Sequence, residues 1–164
     1  MQEGRRAKVE PQQQHRSLGF AGLTMILVLA LDQVSKAWAL TALDNNRSIA
    51  LVGEVFQFRL VRNSGSAFGL FSGAGMVIFI LNLVIMAVVG AWLVRGEGPA
   101  LPLGLVLGGG LGNLADRVFR DPGLGLGKVV DFIYLSFWPT FNLADAAIVI
   151  GVTILFFANL RVKA

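Results

Sequence analysis

The sequence contains no cysteine and only one histidine. The absence of cysteine excludes disulfide bonds, thiolate metal ligands and a cysteine nucleophile. The single histidine, His15, lies in a polar segment, and we interpret it as a solvated residue. Zinc proteases that need a His-Glu-x-x-His helix are therefore excluded, and so are catalytic triads in which histidine is the base.

Charged residues are also scarce. They make up 15% of the 164 residues, whereas 55% are hydrophobic, and the mean hydropathy is +0.68. Because a soluble domain carries about 25% charged residues, this composition indicates a membrane protein, and the length suits one domain with a few spans. The formal net charge is +4. In so apolar a chain we expect the basic residues to set orientation and to contact anionic lipid, with no nucleic acid as partner.

The apolar stretches predict an all-α membrane protein, a four-helix transmembrane bundle with a small extracytoplasmic β-structure. The predicted spans cover about residues 18–43, 73–94, 99–115 and 142–160. The loops on the outer side cover about residues 44–66 and 116–141. Residues 1–17 are polar and rich in Gln, which predicts a disordered cytoplasmic tail ahead of one four-span domain over residues 18–164.

Two patterns refine this prediction. In the first outer loop, VFQFRLVR over residues 55–62 partly alternates apolar and polar side chains, which predicts a strand or two at the membrane surface. In the third span, Gly104, Gly108 and Gly112 recur at every fourth residue. This small-xxx-small pattern predicts that another helix backbone approaches closely.

The distribution of basic residues predicts cytoplasmic termini. Four spans place both termini on one side, and that side and the opposite side each hold seven Lys and Arg residues. Four of the seven on the terminal side precede the first span, which usually dominates orientation. We expect the basic residues on the outer side to have a local role.

Polar residues of the first two spans fall near the outer end of the bundle. Asp32 and Lys36 are four residues apart on one helix face. That spacing fits an intrahelical ion pair, and it fits equally a lysine that organises neighbouring loops or substrate backbone. Asn63 and Gly65 begin the segment NSGSAF, whose small residues predict a tight turn.

The third span ends with three polar residues at the same rim. Asn113 and Arg117 lie four apart and share a helix face, whereas Asp116 points elsewhere. We therefore interpret Asp116 as structural or headgroup-facing and not as catalytic.

Two carboxylates, Asp131 and Asp145, flank an aromatic segment that leads into the last span. A carboxylate at membrane depth is costly unless it is paired or hydrated, which makes each a functional candidate. Asn142 lies three residues before Asp145, on the same face at the helix start. If Asp131 folds back beside Asp145, the pair shares a proton near neutral pH. One carboxylate would then deprotonate a water and the other would act as the acid, without a metal or cofactor.

Two other functions remain open from the residues alone. A hydrolase pairing Lys36 with Ser64 or Ser66 needs a neutral lysine, which Asp32 one turn away disfavours. A proton- or ion-coupled transporter would use Asp32, Asp131 and Asp145, but such residues usually lie near mid-membrane on broken or repeated helices.

Taken in order, five motifs of the sequence resemble bacterial lipoprotein signal peptidase, also called signal peptidase II. They are Asp32-x-x-x-Lys36, Asn63-x-Gly65-x-Ala67-Phe68, Gly108-Gly109-x-x-Gly112-Asn113-x-x-Asp116-Arg117, Val130-Asp131-Phe132 and Phe141-Asn142-x-Ala144-Asp145. The resemblance covers about residues 18–160.

This resemblance implies an intramembrane aspartyl protease of the bacterial cytoplasmic (inner) membrane, with its active site near the extracytoplasmic face. It implies a diacylglyceryl-modified prolipoprotein as substrate, cleaved before the lipidated cysteine, and it implies no metal. By the same resemblance Asp131 and Asp145 form the catalytic dyad. The residues that shape the site or bind substrate are Asp32, Lys36, Asn63, Gly65, Asn113, Arg117 and Asn142. We expect a monomer in contact with membrane lipid.

Overall fold

A computed structural model of the chain describes residues 11–65 and 75–162. Its helices are α1 (Pro11–Ala42), α2 (Gly75–Arg95), α3 (Ala100–Phe119) and α4 (Leu143–Val162). Its strands are β1 (Ser48–Val52), β2 (Phe56–Asn63), β3 (Val129–Leu135) and β4 (Trp138–Phe141). Residues 1–10 of the predicted tail, and Ser66, Ala67 and Phe68 within the second motif, lie outside the described residues.

Among residues 11–65 and 75–162, three helical segments are long and apolar enough to cross a membrane: Gln12–Ala42, Gly75–Arg95 and Leu143–Leu160. Their outer faces carry large exposed apolar side chains, such as Phe20 on α1 and Ile80 on α2. Because exposed apolar surface on this scale is stable only in contact with lipid, the chain is a helical membrane protein. Helix α3, the third predicted span, differs in that 12 of its 20 residues are buried and it packs against the other three helices.

The glycine pattern of α3 has the role that its spacing predicts. A Cβ atom at Gly104, Gly108 or Gly112 would lie 2.5–2.7 Å from atoms of α1, namely Ala21 O, Val28 Cβ and Asp32 Oδ2. Such distances are well inside van der Waals contact, so only glycine lets the two helices approach this closely. The prediction of a close helix neighbour is confirmed.

Three element boundaries differ from the sequence prediction. Helix α1 begins at Pro11, so residues 11–17 are helical and not disordered, and His15 lies exposed on that first turn. Helix α3 continues to Phe119, four residues beyond its predicted end at 115. The predicted loop 116–141 contains strands β3 and β4, which the sequence reading did not find. The β3 segment VVDFIYL is almost wholly apolar, without the alternation that marks a half-exposed strand.

The strands form one antiparallel sheet in the order β1-β2-β3-β4. The strand or two predicted from the alternation over residues 55–62 are present: β2 covers most of that pattern, and β1 pairs with it from earlier in the same loop. Val61 of β2 is paired with Asp131 of β3, which brings the neighbouring Asn63 toward that carboxylate. A buried cluster of Ala39, Leu43, Val130 and Phe132 holds the sheet against the last turns of α1.

The connection from α3 to β3 folds back over the end of α3. The backbone N–H groups of Gly125 and Gly127 donate hydrogen bonds of 2.9 and 3.0 Å to the carbonyl oxygen of Arg117. These bonds satisfy a carbonyl that the helix end leaves free. A Cβ atom at Gly127 would lie 2.5–2.8 Å from the carbonyl oxygens of Asp116, Arg117 and Arg120, so the return is tight enough to need glycine.

Candidate active site

Asp131 and Asp145 line the same cavity, which has a volume of about 330 Å³. Asp131 reaches it from β3 and Asp145 from the first turn of α4. Asn63, Gly65, Asn113 and Arg117 line it too, so six of the nine predicted site residues meet at one place. The predicted approach of the two carboxylates is therefore present in the fold.

Asn142 and Asp145 begin α4 with a reciprocal capping arrangement. The Asn142 side-chain oxygen accepts a 2.9 Å hydrogen bond from the backbone N–H of Asp145, and an Asp145 carboxylate oxygen accepts one of 3.3 Å from the backbone N–H of Asn142. This is the geometry of a capping box, with Asn142 as N-cap and Asp145 three residues later. Asp145 is thus held by the same bonds that start the helix, which fixes its carboxylate relative to the cavity.

Each carboxylate oxygen of the pair accepts a hydrogen bond. Asp131 accepts from the side-chain amides of Asn142 at 2.7 Å and Asn63 at 2.9 Å. The second Asp145 oxygen accepts from the amide of Asn113 at 2.7 Å. Asn142 also donates to the side-chain oxygen of Asn113 at 3.2 Å, which joins the supports of the two carboxylates. Three asparagines from β2, α3 and the start of α4 therefore orient both acids.

Burial gives Asp131 an unusual protonation equilibrium. Only 1% of its surface is exposed. The pKa of Asp131 is raised to about 7. Desolvation is the largest cause and the nearby charge of Asp145 adds to it, whereas the hydrogen bonds from Asn63 and Asn142 oppose the rise. Asp131 can therefore hold or release a proton near neutral pH, as an acid–base catalyst must.

Asp32 and Lys36 do not line the cavity but lie directly behind it. The Lys36 ammonium is 2.8 Å from an Asp32 carboxylate oxygen, and both side chains are completely buried. It is also 2.9 Å from Asp116 and donates a 3.1 Å hydrogen bond to the side-chain oxygen of Asn113. Three acceptors around three N–H donors leave Lys36 no lone pair to act as a base. The predicted ion pair is present, and the Ser/Lys hydrolase loses its base.

Asp32 also supports the start of α4. Its second carboxylate oxygen accepts a 3.0 Å hydrogen bond from the backbone N–H of Ala144. Because the first N–H groups of a helix have no partner within it, this bond ties α1 to the helix that carries Asp145. An aspartate with both oxygens engaged in structural contacts is poorly suited to carry protons in a transporter.

The carboxylate of Asp116, on α3, links that helix to α1 and β3. Besides Lys36, it contacts the Nε of Arg120 at 2.6 Å and accepts a 3.1 Å hydrogen bond from the backbone N–H of Val130, the residue before Asp131. Its carboxylate is 1% exposed and does not line the cavity. The structural interpretation of Asp116 is confirmed.

Two residues that contact these buried carboxylates, Gln33 and Arg120, were not predicted from the sequence. Gln33 donates hydrogen bonds to Asp32, to the carbonyl oxygen of Gly112 and to Asp116, at 3.1–3.3 Å. Arg120 follows Asp116 by four residues, a spacing that predicts a helical ion pair and that could have identified it. Gln33 carried no comparable signal, because nothing in its local sequence indicates a contact 79 residues away.

Arg117, which lines the cavity, has a buried N–H donor without a hydrogen-bond partner in the described part of the chain. Its side chain is 4% exposed, and its Nη1 has no hydrogen-bond partner among residues 11–65 and 75–162. Gly65 lines the same cavity, its backbone N–H donates a 2.8 Å hydrogen bond to the side-chain oxygen of Asn63, and its φ of +107° favours glycine. The cavity therefore pairs a buried donor with two carboxyl groups.

The donor set of the cavity does not suit a resident metal ion. Within the described ranges, no group of three or more His, Cys, Asp or Glu side chains is arranged to hold a metal. The amides of Asn63, Asn113 and Asn142 already donate to Asp131 and Asp145, and the other described polar side chains that line the cavity are the Asn82 amide and the Arg117 guanidinium.

Comparisons with known proteins agree on one family. A family model described as signal peptidase (SPase) II matches residues 24–161. The chain is 44% identical over 135 residues to a lipoprotein signal peptidase of Rhodococcus jostii, covering 79% of this chain and 66% of the relative. It is 40% identical over 134 residues to one of Mycobacterium leprae, covering 79% and 65%. The chain thus spans slightly less than two thirds of the length of these relatives.

One solved structure shows the same fold. A bacterial membrane enzyme determined by the in meso method superposes with a TM-score of 0.77 and 28% identity, covering 89% of this chain and 90% of that one.

Proposed function

The chain belongs to the signal peptidase II family, and we propose that it is a metal-independent aspartyl endopeptidase acting on diacylglyceryl-modified prolipoproteins. It removes the signal peptide by cleaving before the lipidated cysteine. The observation that carries this proposal is the placement of Asp131 and Asp145 on one cavity, each oriented by asparagine amides. The names of the relatives supply the substrate class.

The chemistry needs one proton on the pair. The ionised carboxylate takes a proton from water, whose oxygen attacks the scissile carbonyl carbon, while the protonated carboxyl donates its proton to the carbonyl oxygen. The gem-diol then collapses: the ionised carboxylate takes a proton from one of its hydroxyl groups, the C–N bond breaks, and the protonated carboxyl donates its proton to the leaving amine, so that the pair again holds one proton. The products are a new carboxyl group on the signal peptide and a free amine on the lipidated cysteine. Asp131 titrates near neutral pH, which suits it to this exchange.

Within this proposal the remaining site residues have separate tasks. Asn63, Asn113 and Asn142 position the carboxyl groups, and Asp32 and Lys36 hold α1, α3 and α4 together behind them. Arg117 Nη1 supplies a buried donor for a substrate carbonyl oxygen, since no described residue occupies it. A buried N–H donor without an acceptor is costly, so a substrate carbonyl that accepts from Nη1 would relieve that cost.

We further propose a monomer with four spans in the bacterial inner membrane and with cytoplasmic termini. In this proposal α3 spans the membrane together with α1, α2 and α4. The dyad and the asparagines that orient it are brought together within a single chain, and α3 at 20 residues is roughly 30 Å long, which matches a bilayer core. The dyad then lies near the extracytoplasmic end. Because the chain has no cysteine, a Glu54→Cys variant in the β1–β2 turn carries a unique label site, and an impermeant thiol reagent should modify it from outside.

The dyad is tested with Asp131→Asn and Asp145→Asn variants given lipid-modified prolipoprotein. Either change should lower signal-peptide release by about 10²–10⁴-fold, the usual contribution of general acid–base catalysis. Asp121→Asn, at an exposed position, is the matched control and should cleave normally. Wild-type turnover by either dyad variant would refute the assignment.

Two further arms test substrate and metal dependence. The same precursor without its diacylglyceryl group should remain uncut, and exhaustive chelation should leave activity unchanged. Activity lost on chelation and restored by zinc would show a metal enzyme instead.

A further inference from the structure

A second cavity, of about 540 Å³, lies on the opposite side of β2 and β3 from the dyad. Asn63 and Asp131 line the catalytic cavity, whereas Arg62 and Val130, their neighbours in the same strands, line the second one. Side chains of a strand alternate between the two faces of a sheet, so the strand pair itself separates the two cavities. We call the second cavity the basic pocket.

The basic pocket is lined by three cationic side chains, Arg62, Arg120 and Lys128, and by one carboxylate, Asp121. Among the described residues, Arg62 and Lys128 take part in no ion pair. Arg120 is held through its Nε by Asp116 at 2.6 Å, which leaves its two η nitrogens for another acceptor. An excess of cations around one concave site is the arrangement that binds phosphate.

The backbone around the basic pocket is well fixed. Arg120 is the C-cap residue of α3, and its backbone N–H donates a 2.9 Å hydrogen bond to the carbonyl oxygen of Asp116. The bonds from Gly125 and Gly127 to the Arg117 carbonyl return the chain beside that helix end, so that Lys128 enters β3 near Arg120. The three cations are therefore brought together by the fold and not by a flexible tail.

The surroundings of the basic pocket are apolar. Phe119, which also lines it, is 85% exposed, and Leu124 on the same connection is 86% exposed. The pocket lies where α1 and α3 end, and Trp38 in the last turns of α1 is also exposed. Exposed aromatic and aliphatic side chains beside basic ones at helix ends are typical of the boundary between lipid tails and headgroups.

We propose that the basic pocket binds the phosphate of an anionic phospholipid, with the acyl chains against Phe119 and Leu124. The occupant is lipid and not a soluble phosphate ester, because the cations are bordered by exposed apolar side chains that a free ester would leave in water. This goes beyond the proposed protease function, since the pocket shares no lining residue with the catalytic cavity.

The experiment uses the full chain in uncharged detergent, titrated with phosphatidylglycerol labelled by a fluorophore on one acyl chain, and anisotropy reports binding. Phosphatidylcholine with the same label is the reference and should bind at least about tenfold more weakly. The Arg62→Gln/Lys128→Gln double variant should lose about 25-fold in phosphatidylglycerol affinity, since each basic residue near an anionic surface contributes about fivefold.

The matched control removes the same charge from the same side of the protein. Arg47 and Arg59 are exposed and do not line the pocket, so Arg47→Gln/Arg59→Gln should change affinity less than about twofold. Asp121→Asn removes the one carboxylate lining the pocket and should tighten binding. Equal losses in the two double variants, or equal affinity for both lipids, would overturn the proposal.

Three further measurements separate the remaining outcomes. Glycerol phosphate that displaces the labelled lipid at concentrations similar to the lipid's own would show a soluble ester site and overturn the lipid assignment. If the double variant does not fold, Lys128→Gln alone, at an exposed position, should still weaken phosphatidylglycerol binding severalfold, and unchanged binding would refute the site. The Asp131→Asn variant should bind lipid like the wild type, so that failure of the protease proposal leaves this result interpretable.

Discussion

Lys36 of α1 and Asp116 of α3 form an ion pair of 2.9 Å in which neither side chain is exposed to solvent. The same ammonium pairs with Asp32, and the two carboxylates reach onward to the start of α4 and to β3. A charge pair inside a protein is stable only when its remaining polar atoms are also satisfied, and here they are. The elements that carry the dyad are thus joined behind it by one buried lysine.

Lys36→Met should therefore destabilise the protein strongly. Removing the ammonium leaves Asp32 and Asp116 buried without their counter-charge, and breaking such a pair costs about 3–5 kcal/mol in free energy of unfolding. Denaturation in detergent, followed by circular dichroism, measures the loss. Lys128→Met is the control, since Lys128 is exposed and takes part in no ion pair with a described residue. A loss below about 1 kcal/mol for Lys36→Met would contradict the argument.

Substitutions of Asn142 should separate its contribution to stability, as N-cap of α4, from its contribution to catalysis, as a donor to Asp131. Asn142→Ala removes both the N-cap of α4 and the amide donor to Asp131, so we expect a loss of about 1 kcal/mol in stability and a large fall in kcat. Asn142→Ser keeps an oxygen that caps the helix but loses the amide N–H that reaches Asp131, because the serine hydroxyl ends one atom short of the Nδ2 position. It should recover the stability and leave kcat low, with KM nearly unchanged. Recovery of kcat in the serine variant would show that Asn142 acts only as a cap.

Asn82→Ala is the matched control for that pair of variants. Asn82 lines the same cavity but donates its described hydrogen bond to the Gly110 carbonyl oxygen and not to either carboxylate. Its loss should leave kcat within a few-fold of the wild type.

The raised pKa of Asp131 predicts how stability varies with pH. Between 3.8, its ordinary pKa, and about 7, its folded pKa, the folded protein binds more protons at this site than the unfolded chain does. Stability from this group therefore falls as pH rises through that window. Asp131→Asn should raise the Tm more at pH 8 than at pH 4.5, whereas Asp121→Asn should show no such difference. An Asp131→Asn advantage equal at both pH values would disprove the link.

Gly112→Ala should disrupt the junction of α1 and α3. Its Cβ would lie 2.5 Å from an Asp32 carboxylate oxygen and 3.3 Å from Ala144, so the ion pair and the start of α4 would both have to shift. We expect a loss of about 1–3 kcal/mol and reduced cleavage. Gly90→Ala in α2 meets no atom within 4 Å and should be neutral or slightly stabilising. Equal thermal denaturation of the two variants would be evidence against the close packing.

Local patterns in the sequence predicted the helices, a strand or two in the first outer loop, the glycine contact and, as one of two interpretations, the Asp32–Lys36 ion pair. Each depends on spacing within one element, which a sequence displays directly. What escaped prediction depends on contacts between elements. Strand β3 is buried on both faces at Val130 and Asp131, so its sequence lacks the alternation of apolar and polar residues that marks a half-exposed strand. The capping box at the start of α4 uses Asn and Asp in place of the usual Ser or Thr with Glu.

The alternation of β2 and β3 has a consequence for how this chain tolerates insertions. A single extra residue in β3 ahead of Asp131 would rotate every following side chain to the other face of the sheet. The carboxyl group would then point among Arg62, Arg120 and Lys128, and Val130 would enter the catalytic cavity in its place. Length changes should be accepted in the turn at residues 53–55 and rejected within residues 129–131, although both belong to the same small sheet.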